Sequence, residues 1–143
     1  MTKLLIAAAL ALSAAACSPG AGSEWQKSYG KTFYEPTEGM AALYIVRDET
    51  GADPAPIGIT KDQYPVGSLA GLTWMRLDLP PSLYDLRAYG TQGSTELIVT
   101  VNAGQSRFFV AEPKPPGNAQ LREISQVAGR QLVRKGQVVA SSP

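Results

Sequence analysis

Between residues 40 and 124, turn-forming residues interrupt the chain about once every ten residues, and this spacing limits what it can fold into. Glycine, proline and short polar clusters separate runs of only five to eight residues that are rich in valine, leucine, isoleucine and aromatic side chains. Helices of ordinary length do not fit between such breaks, whereas short strands do. The spacing favours an antiparallel β-sandwich, immunoglobulin-like or transthyretin-like, of about seven strands. A small barrel is the alternative.

Several of the runs also alternate apolar and polar residues, as half-buried strands do. In 73–79, Trp74, Arg76 and Asp78 share one face, and apolar residues occupy most of the other. Proline follows at Pro80 and Pro81, which must end that strand because proline cannot donate to a ladder. The predicted strands are 41–47, 57–61, 64–69, 73–79, 83–89, 94–101 and 106–111, with 121–124 as a final short one.

The end of the chain predicts a helix. Ser125 is a good N-cap, basic residues precede Gly136, and Gly136 would stop the helix. Gly129 inside it costs about 1 kcal/mol relative to alanine. A single helix beginning at Asn118 is the competing interpretation, and the residues after Gly136 are expected to fray.

The first 17 residues are typical of an export signal that ends at a lipidation site. After Lys3, residues 4–16 form an apolar run, too short to span a bilayer but suited to a signal peptide. Small residues then lead to Cys17, the only cysteine in the chain. Cys17 is therefore expected to carry acyl groups that anchor the mature protein. Cleavage at an ordinary site, with secretion to the periplasm as an unlipidated protein, is the alternative.

The domain boundaries follow from these two patterns. Residues 1–17 are the signal peptide and lipobox, 18–39 a tether with an aromatic-containing segment, 40–136 the sandwich with its helix, and 137–143 a frayed tail. Ser18, rather than an acidic residue, follows the cysteine. By likeness to the lipoproteins of enteric bacteria, this implies the periplasmic face of the outer membrane.

Composition excludes several classes of function. The mature chain has 13 − 1 = 12 basic residues against 12 acidic ones, so its net charge does not favour electrostatic binding of nucleic acid or of acidic lipid. The sequence contains no histidine, the commonest general base and metal ligand. No enzyme activity, metal or cofactor is expected.

The order of the short motifs resembles a known family. Leu43–Arg47 opens the domain, a Leu-x-Leu-Pro turn occurs at Leu77–Pro80, and Ala103-Gly104-Gln105 precedes Phe108-Phe109-Val110. This order is similar to that of small bacterial lipoproteins of domain-of-unknown-function family 2846, over about residues 41–124. The resemblance implies a β-sandwich and an envelope location, and it implies no catalytic residue.

Trp74 and Arg76 are the candidate binding surface. An exposed tryptophan on a sheet stacks on sugars or anchors a protein contact. Alternatively, the aromatic segment or the C-terminal helix covers Trp74.

Two acidic groupings suggest other functions. Asp78 and Asp85 flank the Pro80-Pro81 turn, and paired carboxylates cleave glycosidic bonds. Asp48, Glu49 and Asp53 share one loop and offer oxygen ligands to Ca²⁺. Solvated surface charges are the commoner interpretation of both.

The sequence therefore predicts a membrane-anchored envelope lipoprotein that binds another envelope protein or a cell-wall glycan without catalysis. The alternatives are a small polysaccharide hydrolase using Asp78 and Asp85, and a structural subunit that pairs through a sheet edge near Val66–Leu69.

Overall fold

The computed structural model describes residues 32–48 and 55–141. These residues form nine strands and a ten-residue helix, α1 (Gln126–Lys135). The strands are β1 (Ala41–Arg47), β2 (Ile57–Lys61), β3 (Tyr64–Leu69), β4 (Thr73–Leu79), β5 (Ser82–Tyr89), β6 (Ser94–Val101), β7 (Ser106–Lys114), β8 (Asn118–Ile124) and β9 (Gln137–Val138).

The strands form two sheets that face each other. The first sheet has the order β8-β7-β1-β4-β9, and the second has the order β3-β2-β5-β6. The predicted mainly β sandwich with a short C-terminal helix is confirmed. The first sheet is mixed, however, because β1 pairs in parallel with β7 and β4 with β9. A parallel pair needs a long connection, and the second sheet is part of the connection between β1 and β7.

Strand β1 lies at the centre of the first sheet and is buried on both faces. All seven of its residues are buried. Leu43 and Ile45 face the second sheet, whereas Tyr44 and Val46 face the other way. This double burial explains why 41–46 is a continuous apolar run rather than an alternating one. Each large side chain buried here contributes about 1.5–3 kcal/mol.

A second, smaller core lies on the outer face of the first sheet. Its largest buried side chains are Tyr44, Trp74 and Phe108, and Phe33 packs against them. The rings of Tyr44 and Phe108 stack with centroids 4.7 Å apart. Helix α1 covers this face, so the molecule has three layers: helix, first sheet and second sheet.

The Pro80-Pro81 dipeptide carries the chain from one sheet to the other. β4 ends in the first sheet at Leu79, and β5 begins in the second sheet at Ser82. The Tyr84 hydroxyl donates to the Pro80 carbonyl oxygen at 2.7 Å, which holds this corner. The predicted end of the strand is confirmed, but β4 and β5 do not form a hairpin.

Helix α1 begins and ends where its capping residues predict. The Ser125 hydroxyl accepts from the Ala128 N–H at 3.2 Å, and Gly136 donates to the carbonyls of Leu132 and Val133. The competing helix from Asn118 is wrong, because Asn118–Ile124 forms strand β8 opposite β7.

Residues 137–141 of the tail run along β4, contrary to the prediction of a frayed end; residues 142 and 143 lie outside the described ranges. Gln137 and Val138 form β9, the Val139 N–H donates to the Trp74 carbonyl, and Ser141 Oγ donates to the Arg76 carbonyl at 2.8 Å. The tail therefore supplies the missing neighbour of the β4 edge, and its apolar residues pack on both cores.

Candidate functional site

Trp74, the residue predicted to lie on a binding surface, is buried. Only 2% of its surface is exposed. Its ring lies 6.1 Å from the ring of Tyr44, and α1 ends against it at Gly136. The prediction of a stacking platform at Trp74 is wrong because the helix covers this strand face; the alternative that a C-terminal helix covers Trp74 is the correct one.

Arg76, the second predicted binding residue, is engaged inside the protein. Its side chain is 6% exposed and forms an ion pair with Asp78 at 2.7 Å. Its guanidinium also donates to the Tyr44 hydroxyl at 2.9 Å and to the Tyr34 carbonyl at 3.2 Å. Arg76 thus ties the segment that precedes β1 to the outer face of the first sheet. It is not available as a surface cation.

Asp78 and Asp85 lie on opposite outer faces of the sandwich. Asp78 is on β4 of the first sheet and Asp85 is on β5 of the second. Each follows the strand alternation that points away from the core, and each is paired with an arginine of its own strand, Arg76 or Arg87. Two carboxylates separated by the whole sandwich cannot act on one bond, so the paired-carboxylate hypothesis is wrong.

A pair of exposed apolar residues lies on the outside of the second sheet. Leu83 on β5 is 62% exposed and Ile98 on β6 is 49% exposed. Ile98 is directly opposite Asp85, and Leu83 is directly opposite Thr100, so Leu83 and Ile98 are diagonal neighbours on one face. We call Leu83, Asp85, Arg87, Glu96 and Ile98 the β5–β6 face.

An ion network lies beside the two apolar residues of the β5–β6 face. Arg87 binds Asp85 at 3.0 Å and Glu96 at 2.6 Å. The hydrogen bond that Arg87 donates to Asp85 raises the pKa of the Arg87 guanidinium above its ordinary value, and the Glu96 charge adds to the effect. The face therefore combines an apolar pair with one guanidinium held between two carboxylates, a mixture of apolar and polar groups that is found at protein–protein contacts.

Sequence reasoning missed this surface because it followed only the inward residues. In β6, Val99 and Val101 are buried in the core between the sheets, and Leu97 packs against it. The useful signal was Ile98, an apolar residue in the outward phase of the same strand.

The predicted sheet edge at Val66–Leu69 is present but poorly suited to pairing. β3 is one edge of the second sheet. It contains Pro65, which has no N–H to donate, and its pairing with β2 shifts register between Ile59 and Thr60. Proline and irregular pairing are features that protect edges from additional strands.

A groove of 450 Å³ lies at the N-terminal end of α1. Arg107 and Glu123 form its charged wall and bind each other through two hydrogen bonds of 2.7 Å each. This pairing lowers the pKa of the Glu123 carboxyl and raises that of the Arg107 guanidinium. Arg107 also donates to the Thr100 carbonyl at 2.6 Å, so the charged groups of the groove satisfy one another.

Within residues 32–48 and 55–141, no group of three or more histidine, cysteine or acidic residues is placed to hold a metal ion. Glu49 and Asp53 of the calcium hypothesis, like Cys17, lie outside the described residues. No helix in the described ranges is long and apolar enough to cross a bilayer.

Comparisons with family models, with curated proteins and with solved structures found no match to this chain. The resemblance to family 2846 therefore stays an expectation from sequence motifs.

Proposed function

We propose that this protein is a bacterial envelope lipoprotein, anchored through Cys17, that serves as a non-catalytic interaction module at the periplasmic face of the outer membrane. The observation that carries the proposal is the run of small residues that follows residues 4–12 and ends at the only cysteine of the chain. The folded sandwich begins only at Ala41, so a segment long enough to act as a tether separates it from the anchor.

The β5–β6 face is the surface that we assign to a partner. Leu83 and Ile98 offer apolar contact area, and Arg87 with its two carboxylates supplies polar groups beside it. The partner class best matched by this composition is another envelope protein. A cell-wall glycan is the second class, because Tyr89 on the same strand is partly exposed and a tyrosine ring stacks on sugars.

The experiment that tests the anchor is the intact mass of the mature protein extracted from membranes. We expect a chain that begins at Cys17 and carries added acyl mass. A chain that begins at Cys17 without acyl mass, or one that begins elsewhere, contradicts the anchor and leaves a domain secreted without lipid.

Photo-crosslinking in cells tests the interaction surface. A crosslinking residue at Leu83 is expected to capture a defined envelope component, whereas one at exposed Ser68, on another strand of the same sheet, is the matched control. Equal capture at both positions, or capture at Ser68 alone, would rule out the β5–β6 face as the contact.

A further inference from the structure

Helix α1 concentrates positive charge that the rest of the fold does not neutralise. Arg130, Arg134 and Lys135 lie on this one helix, and residues 126–135 include no acidic residue. None of the three forms an ion pair with any carboxylate of the described ranges, 32–48 and 55–141. The carboxylates that form no ion pair with these cations include Glu35 and Glu38, in the segment just before β1.

The arginines on the outer faces and edges of the sheets behave differently. Arg76, Arg87, Arg107 and Arg122 each bind a carboxylate at 2.6–3.2 Å. The surplus of positive charge is therefore a property of α1. The second sheet and its turns carry a formal net charge of 2 − 3 = −1 from two cations and three carboxylates. The cations are Lys61 and Arg87, and the carboxylates are Asp62, Asp85 and Glu96.

The exposed side of α1 combines this charge with an apolar residue. Val127, Gln131, Arg134 and Lys135 are exposed and follow the i, i+4, i+7, i+8 spacing of a single helix face. Val127 is 70% exposed. We call these four residues the α1 outer face.

The first described residues after Cys17 lie beside this helix. Phe33, which lies 33 − 17 = 16 positions after Cys17, packs on the first sheet with its ring 5.7 Å from that of Tyr44. The guanidinium carbons of Arg130 and Arg134 are each 5.3 Å from the centre of the Phe33 ring. Phe33 and the unneutralised cations are thus on the same side of the molecule.

We infer that the α1 outer face lies against a membrane surface with anionic phospholipid head groups, the same membrane that holds Cys17. Cations near such a surface gain favourable energy that falls away within a Debye length, and Val127 reaches toward the head-group boundary. The β5–β6 face, on the opposite side of the sandwich, then points away from the membrane. The inference rests on the proposed lipid anchor, which brings the helix within reach of the surface.

The test uses a single engineered cysteine in the full mature protein reconstituted into vesicles. Val127→Cys labels the helix, and Leu83→Cys labels the opposite face as the matched control, since both positions are exposed. An environment-sensitive dye is attached, and a quencher is placed on the lipid head groups. Acylation blocks Cys17, so each protein carries one label.

In vesicles that contain phosphatidylglycerol, we expect quenching at position 127 to be several-fold stronger than at position 83. The difference should disappear in vesicles of pure phosphatidylcholine, which carry no net charge. It should also disappear in about 1 M salt, where the Debye length is roughly 3 Å. The double variant Arg134→Glu/Lys135→Glu should abolish it in the same way. Equal quenching at the two positions, or quenching at 127 that ignores lipid charge and the double variant, would overturn the inference. It would leave an acidic protein partner as the occupant of the helix face.

The intact mass of each preparation separates this inference from the proposed function. Acyl mass without charge-dependent quenching at 127 overturns the helix orientation and leaves the anchor standing. If acyl mass is absent, the anchor fails, and the labelled chains are remade with Cys17→Ser and mixed with the same vesicles. If quenching at position 127 in these unlipidated chains does not depend on the charge of the lipid, that result alone overturns the inference.

Discussion

Contacts of single side chains determine which strand faces are open to solvent and to a binding partner. Trp74 and Arg76 have the spacing of solvent-facing residues, but Trp74 is covered by α1 and Arg76 is bound to Tyr44 and Asp78. Arg47 is a similar case at the end of β1, because its buried guanidinium donates to the carbonyls of Ala55 and Leu69 at 2.6 and 3.1 Å. These side chains connect segments of the fold, and substitutions there will change stability first.

Gly129 permits α1 to lie close to the first sheet. A Cβ atom at this position would overlap the ring of Phe108. That ring cannot easily retreat, since it is stacked on Tyr44. The glycine that weakens the helix by about 1 kcal/mol is therefore needed for packing.

We accordingly expect Gly129→Ala to lower the free energy of unfolding, although alanine is the better helix former. Overpacking costs about 1–3 kcal/mol, which exceeds or cancels the gain in helix propensity. Urea denaturation measures the change. Gln131→Ala, at an exposed position of the same helix, is the control and should be nearly neutral; a Gly129→Ala protein more stable than the parent would contradict the packing argument.

At the scale of whole elements, the tail is a structural part of the first sheet. β9 pairs with Thr73 and Trp74, and Ser141 continues the contact along β4 as far as Arg76. Without it, β4 would be an unprotected edge, and one side of Trp74 would lose its cover.

Truncation after Gly136 is therefore expected to destabilise the domain by several kcal/mol, because it removes the β9 ladder and the apolar contacts of Val138 and Val139 together. Thermal unfolding followed by circular dichroism measures this loss. Ser141→Ala, which deletes one hydrogen bond to the Arg76 carbonyl, should cost only about 1 kcal/mol. A truncated protein that melts with the full chain would show that the tail does not support the sheet.

For the whole molecule, stability should depend on the ionisation of acidic residues in the β7–β8 strand pair of the first sheet. Arg107 lowers the pKa of Glu123, and Arg122 lowers the pKa of Glu112, in both cases mainly through a hydrogen bond. A carboxyl whose pKa is lowered in the folded state makes its full contribution to stability at a pH above its pKa in the unfolded chain, near 4.3. That contribution is lost as the pH falls through the folded value.

We expect the parent protein to lose stability between pH 6 and about pH 3, and the double variant Glu112→Gln/Glu123→Gln to lose less over the same range. At pH 7 the variant should be weaker by about 1 kcal/mol or less, since both pairs are partly exposed. Urea midpoints across the pH range measure this. Glu38→Gln, whose carboxylate has no ion pair among the described residues, is the control. Parallel pH profiles for parent and double variant would contradict the argument.

Local patterns were sufficient for most of the elements. Alternation and turn residues predicted the strands from β1 to β7, and Ser125 and Gly136 predicted the limits of α1, because capping and hydrogen-bond termination act over a few neighbouring residues. The same local chemistry predicted the end of β4 before Pro80.

The sequence by itself determined the fold class and most of the element boundaries, which depend on residues close together in the chain. Only the tertiary structure decided the parallel pairing of β1 with β7, the docking of the tail, and which outward-facing residues are covered. Those outcomes depend on contacts between distant segments, as when α1 covers Trp74 across more than fifty residues of chain while Ile98, in the same outward phase, stays exposed. Periodicity shows that a side chain points away from one core, but it does not show whether a second layer packs on top of it.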